Sequence, residues 1–154
     1  MSADDVVFPA LLRAARGSYS HAIRRHLRDA GCDDLPRNAP FLVGGMVNHG
    51  GDPRLLLRQL GVTKQAQSQL VDALESRGYV TREPVPGDRR RMTLRATERG
   101  RKAAAASSAA VREVDAELAR RITPEQLAGL RAGLVALCDI RDGYEEGATG
   151  AGPT

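Results

Sequence analysis

One stretch constrains this chain more than any other, the run from Leu57 to Arg99 with the helix start just ahead of it. Asp52-Pro53 starts a helix cleanly, with Asp as the N-cap and Pro at the first helical position. Leu56, Leu57 and Leu60 give that helix a buried face, and Gly61 ends it in a tight turn. Thr63 caps a second helix that runs to about Arg77, with Ala66, Leu70, Val71 and Leu74 turned inward. Gly78 ends it. Tyr79–Glu83 and Arg91–Arg95 then read as two antiparallel strands, with Met92 and Leu94 alternating inward and 84–90 as the loop. Helix, short Gly-containing turn, helix and basic hairpin together are the pattern of a winged helix-turn-helix.

Charge follows the same stretch. Residues 53–102 carry 12 basic and 5 acidic side chains, net +7, whereas residues 1–52 are neutral and residues 103–154 are net −3. A basic middle flanked by neutral and acidic parts is the electrostatic footprint of a lobe that meets nucleic acid. Lys64, Gln65, Gln67 and Ser68 crowd the first two turns of the second helix, the end that carries the positive pole of the helix dipole. Gln pairs bidentately with adenine, and Lys reaches guanine or phosphate. Arg89, Arg90 and Arg91 stand beside a Pro-Gly turn, where guanidinium groups on a narrow hairpin suit the minor groove. Asp88 would repel phosphate if it faced outward, so its expected role is to pair with Arg90 and orient it. The bland alternatives are a solvated helix start and a local ion pair worth under about 1 kcal/mol.

The flanks supply helices. Residues 4–29 repeat apolar positions at helical spacing and stop at Gly31; a short helix near 38–48 groups Phe41, Leu42, Met46 and Val47, and Gly44 and Gly45 there would admit a neighbouring helix. Thr97 caps a long Ala-rich helix to about Arg121. Thr123-Pro-Glu-Gln is a capping box that opens a last helix, with Leu127, Leu130, Leu134, Leu137 and Ile140 on one face. With aromatics at 3% and no Trp, the core must come from Leu, Val, Ile and Ala. The fold class expected is mainly α with a small β-wing, a winged helix-turn-helix with flanking dimerisation helices. Residues 1–142 form one domain in this reading, with the lobe at about 35–96 and dimerisation helices at 4–30 and 97–142; residues 143–154 read as a disordered tail. The first and last helices carry apolar faces that one small lobe cannot cover, which predicts a homodimer.

Leu60-Gly-Val-Thr-Lys-Gln-Ala, Ser68-Gln-Leu-Val-Asp-Ala-Leu, Arg77-Gly-Tyr-Val and the wing motif Asp88-Arg-Arg followed by Leu94-x-x-Thr97-x-x-Gly100 resemble the MarR family of bacterial transcriptional regulators. The likeness covers about residues 5–142. It implies a homodimer with an intertwined helical base, the helix at 63–77 in the major groove and the wing arginine, held by Asp88, in the minor groove. Its DNA contacts would be Thr63, Lys64, Gln65, Gln67, Ser68, Asp88, Arg89, Arg90 and Arg91. It also implies repression of nearby genes, and release of DNA by a small phenolic or other apolar anionic effector. His21, Arg25, Phe41 and Met46 are the candidates for lining that effector's pocket. Two positions depart from the family pattern. Gln67 stands where a small or apolar residue is usual, and Ala96 where Leu usually precedes the Thr.

Other chemistries find little. No Ser/His/Asp set or phosphate loop points to catalysis, and no cofactor is implied. His21, His26 and His49 share no ligand spacing, so no metal site is expected. No apolar window is long enough to span a membrane, no signal peptide is visible, and Cys32 and Cys138 are too few for a disulfide scaffold; a cytoplasmic protein is expected. A ligand-binding or protein-adaptor winged helix without DNA binding stays open beside the leading reading.

Overall fold

The computed structural model describes residues 7–49, 63–85 and 87–149, with side chains described except at 48–49, 85, 88–92 and 141–149. Among these residues the elements are α1 (Phe8–Asp29), α2 (Ala39–His49), α3 (Lys64–Ser76), β1 (Val80–Val85), β2 (Asp88–Ala96), α4 (Glu98–Arg121) and α5 (Pro124–Thr149). The mainly helical chain with one two-stranded antiparallel sheet is the winged-helix architecture expected. The helix expected from Pro53 and its turn at Gly61 lie outside the described residues. Where the sequence reading has one domain over 1–142, the chain divides into two compact units, Met1–Val114 and Asp115–Thr154.

In the first unit, α1 has Pro9 in its first turn, where a missing N–H costs nothing. It buries Ala22, Ile23 and Leu27. In α2 the buried stripe differs from the one expected. Ala39, Leu42 and Val43 are inaccessible and Met46 and Val47 pack beside them, whereas Phe41 is 56% exposed. Positions 39, 42, 43, 46 and 47 form one continuous helical stripe, and Phe41 falls about 100° outside it. Nor does Gly44 admit a close neighbour, for nothing would meet a Cβ there within 4 Å.

Thr63 caps α3 as expected, its Oγ1 accepting from the Ala66 N–H at 3.3 Å. Leu74 is fully buried and Leu70 and Val71 are half-buried. Ala66, expected to face inward, is exposed, because the helix start projects beyond the core. Gly78 ends α3 at φ 73°, a conformation with no steric cost for glycine. Its N–H donates to the Glu75 carbonyl at 2.9 Å and that of Tyr79 to the Leu74 carbonyl at 2.9 Å, which satisfies the helix end.

The sheet pairs Val80 with Ala96, Thr81 with Arg95, Arg82 with Leu94, Glu83 with Thr93 and Pro84 with Met92; the register then jumps, and Val85 pairs with Asp88. The strands thus reach further toward the tip than expected, and residues 84, 85 and 88–90 belong to them rather than to a loop.

Thr97 joins wing to helix. Its N–H donates to the Tyr79 carbonyl at 3.0 Å, its Oγ1 donates to the Gly78 carbonyl at 2.6 Å, and the same oxygen accepts from the Gly100 N–H at 3.1 Å. The buried face of α4 is then almost without side chains: Gly100, Ala103, Ala104, Ser107 and Ala110. A Cβ on Gly100 would overlap the Tyr79 carbonyl oxygen and lie 3.4 Å from the Ala96 Cβ. Ala96, in place of a larger residue, therefore stands in a tight junction. Ser107 is buried in this stripe with a hydroxyl that has no hydrogen-bond partner among the described residues.

In the second unit, the capping box forms as read. The Thr123 N–H donates to Gln126 Oε1 at 2.9 Å and the Gln126 N–H to Thr123 Oγ1 at 3.2 Å. The apolar stripe of α5 stays in solvent in the single chain, with Val135 60% and Ile140 54% exposed. The helix continues to Thr149, into the stretch expected to be disordered. No described helix is long and apolar enough to cross a membrane.

The Thr97 junction gives a direct test. Gly100→Ala gains helix propensity but forces backbone apart, and overpacking of this kind costs about 1–3 kcal/mol. Urea denaturation of the variant should show that loss with an unchanged m-value.

Candidate nucleic-acid interface

Two elements of opposite character meet at the lobe surface. The first turns of α3 present Lys64, Gln65 and Ser68 to solvent, with no acidic residue among them. Gln67 is half-buried and engaged in an interaction of its own. Thr63 is exposed, with its oxygen already accepting the capping bond. Helix N-termini favour anions through free N–H groups and the dipole.

The wing is the second element. Between the pairs Pro84–Met92 and Val85–Asp88, β1 advances by one residue and β2 by four. Arg89, Arg90 and Arg91 are therefore extra residues in β2 that take no cross-strand partner among the described residues, and Gly87 turns the tip at φ 85°. A bulge re-aims the chain and raises its local twist. The expected Asp88–Arg90 pair lies outside the described side chains.

Ion pairs tie the wing to its support. Arg82 on β1 donates to Asp72 Oδ1 at 2.6 Å and to Glu75 on the same helix, α3. On the other face of the wing Arg95 meets Glu83 at 3.4 Å. A further cluster closes behind the Gly78 turn. The Tyr79 hydroxyl donates to Asp34 Oδ1 at 2.5 Å, and Arg99 donates to that same oxygen at 2.8 Å and to the Arg77 carbonyl at 2.6 Å. Arg77 in turn donates to the Asp34 carbonyl, and the Arg99 guanidinium lies 4.4 Å from the Tyr79 ring centre. The Tyr79 bond, helped by the Arg99 charge, holds the Asp34 carboxyl below its ordinary value of 3.8. Burial, then that same bond, pushes the Tyr79 phenol well up. Sequence reading missed this cluster because the hydrogen bonds of Asp34 and Arg99 join residues 22 to 65 positions apart, with no periodicity to link them.

The four pocket candidates lie two on α1 and two on α2. His21 Nδ1 is 2.8 Å from the Gly17 carbonyl of its own helix. Arg25 donates to both oxygens of Glu113 at 2.5 and 2.6 Å, and His26 Nε2 lies 2.8 Å from Glu113 Oε2. The contacts from these two residues, Arg25 first, hold the Glu113 carboxyl below its usual range. Phe41 faces solvent while Met46 faces the core, so they do not share a side of α2. Cys32 is buried and Cys138 exposed, both free thiols. Among the described residues no three His, Cys, Asp or Glu side chains form a metal cluster.

A helix with exposed polar side chains at its N-terminus, backed by a two-stranded wing, defines a winged helix-turn-helix protein. The MarR family model matches residues 34–91, the span of this lobe. The chain is similar to RV1404 from Mycobacterium tuberculosis, with 26% identity over 90% of this chain and 94% of that one and a TM-score of 0.62. It is similar to CouR from Rhodococcus jostii RHA1, solved bound to p-coumaroyl-CoA, with 25% identity over 90% and 96% and a TM-score of 0.67. The fold is also that of MepR from S. aureus, solved as a DNA complex, with 19% identity over 87% and 98% and a TM-score of 0.71. No curated protein sequence matches the chain at a significant level.

The Asp34 cluster predicts a pH dependence. The folded carboxyl titrates below 3.8, so its contribution is complete above that value and is lost as pH falls through the folded value. In thermal melts the wild type should exceed Asp34→Asn in Tm above pH ~4, and the two should converge toward pH ~2.

Proposed function

We infer that this chain is a sequence-specific DNA-binding regulator, a repressor that binds a pseudo-palindromic operator as a homodimer. The observation that carries the reading is the pairing of an exposed, acid-free start of α3 with a wing whose three arginines are extra to the ladder. Both stand on the part of the chain with net charge +7. Lys64, Gln65 and Ser68 read base edges, with Thr63 and Gln67 beside them at the phosphates and the groove floor. Arg89, Arg90 and Arg91 enter the minor groove, and Asp88 orients Arg90. MepR was solved with DNA, which supports this use of the fold.

Residues 35–96 serve as the DNA lobe and the helices flanking them as the dimerisation part. The exposed apolar stripe of α5 supports this, because such a face left bare would be an association surface. A two-fold dimer sets two recognition helices about one DNA turn apart. A small phenolic or apolar anionic effector releases the operator, a reading supported by the p-coumaroyl-CoA bound to CouR. The work is binding rather than catalysis, and its compartment is the cytoplasm.

Fluorescence anisotropy on duplexes enriched by the protein from sheared genomic DNA tests the core of this. Specific binding that weakens steeply with salt is expected; its absence would leave the adaptor reading instead. Arg90→Ala should weaken binding about ten-fold or more and lower the salt slope by about one, with the dimer intact. In light scattering the wild type should run as a dimer at micromolar concentration. Leu137→Glu should shift it toward monomer and abolish tight operator binding with it.

A further inference from the structure

Arg82 belongs to none of the groups assigned so far. It is basic and half-exposed in a basic lobe, so it invites assignment as one more phosphate contact. Its surroundings argue otherwise. Opposed strand residues share a face, so Arg82 lies with its partner Leu94 on the side that carries the buried Val80. Arg95 and Glu83 occupy the opposite side and pair there. From its own side the Arg82 guanidinium reaches α3 and meets two carboxylates, Asp72 at 2.6 Å and Glu75. These are three apart and neighbours on one helix face.

That face is not an arbitrary one. Gln65, Ser68, Asp72 and Glu75 follow one another at spacings of three, four and three, so they line a single stripe of α3. Its N-terminal half holds the proposed base readers. Its C-terminal half is gripped by the wing. A fork held by two carboxylates fixes both the roll of α3 about its axis and the distance of β1 from it. The stripe also has an electrostatic oddity, since two carboxylates continue a surface meant for DNA.

We propose that Arg82 is a positioning residue for DNA recognition: bridging Asp72 and Glu75, it sets the roll of the reading stripe against the wing, and it does not contact DNA. This rests on the DNA-binding reading above. As stability the bridge is worth little, being largely solvated. As geometry it matters, because base contacts tolerate only about half an ångström and 10–20° of error.

The charge makes the test sharp. The paired variant Asp72→Asn with Glu75→Gln keeps the side-chain shapes but removes two negative charges from the reading face. If electrostatics alone ruled, DNA of every sequence would bind more tightly. Positioning requires the opposite for specific sites. The readout is the ratio of affinities for a genomically enriched duplex and for a shuffled duplex of the same composition, at one salt concentration. We expect this ratio to fall about ten-fold or more, with affinity for the shuffled duplex unchanged or raised. Arg82→Lys, which keeps the charge and loses the fork, should lower the ratio while leaving the salt slope unchanged. Circular dichroism and light scattering check that both variants remain folded dimers; should the pair fail to fold, the Lys variant decides alone. An unchanged ratio, or a salt slope lowered by about one in Arg82→Gln, which removes the charge, would overturn the proposal. Wild-type protein that cannot tell the two duplexes apart would overturn the DNA-binding reading itself, and this one with it.

Discussion

Every element that reads or positions in this lobe departs from the carbonyl of Tyr79. Helix α3 ends three residues before it, at Ser76, the wing begins one residue after it, and α4 starts by donating to it through Thr97. The approach is close enough that α4 tolerates no Cβ at Gly100. From the same residue the side chain runs the other way, to Asp34 ahead of α2. Tyr79 is thus buried with its ring in the core and its hydroxyl on a carboxylate that Arg99 also touches, while Arg77 holds the backbone carbonyl of the same Asp34. A buried phenol without a partner would cost about 1–3 kcal/mol. Here it acts as a peg joining four segments, and loosening it would release the wing and the recognition helix together.

Around that peg the lobe divides its charges. Arg77, Arg82, Arg95 and Arg99 are each tied to a carboxylate or a carbonyl. Their charges are spent on holding parts together, and surface pairs of this sort add little to global stability. Lys64 and the arginine triplet contribute the charge proposed for DNA. The gross count of 12 basic side chains in residues 53–102 therefore overstates the cations open to a nucleic acid, because much of the arginine belongs to the frame. Counting charge along a sequence finds the lobe but cannot separate the two uses.

The limits of the sequence follow the same line. Caps and stops were legible because each is a local rule: Thr63, Gly78, Thr97 and the Thr123–Gln126 box all do what their neighbours in the chain dictate. The stripe of α2 was misgrouped because Phe41 is apolar, and apolarity alone does not say which side of a short helix faces in. The wing bulge was invisible, since strand register depends on a partner and on where the ladder breaks. The Asp34–Tyr79–Arg99 cluster was invisible for a stronger reason. Its bonds close loops of 45 and 65 residues, and only the finished fold brings those groups together.

One lobe is too little for the task proposed. About three base contacts, each discriminating by roughly 1–2 kcal/mol, give a single half-site about 10³-fold preference over unrelated sequence. Competing sites in a genome number about 10⁶ or more. Two lobes held at a fixed spacing multiply their preferences, and about 10³ twice over reaches that scale. The gain depends on rigidity, because a lobe free to rock on its helices would spend the second contact's energy on ordering. This places the small-residue face of α4 in context. Gly100, Ala103, Ala104 and Ala110 leave no long side chains between helix and lobe, so the junction has few rotamers through which to yield. The same stiffness that sharpens recognition means that a small change in the spacing of the two lobes would be felt at both half-sites at once.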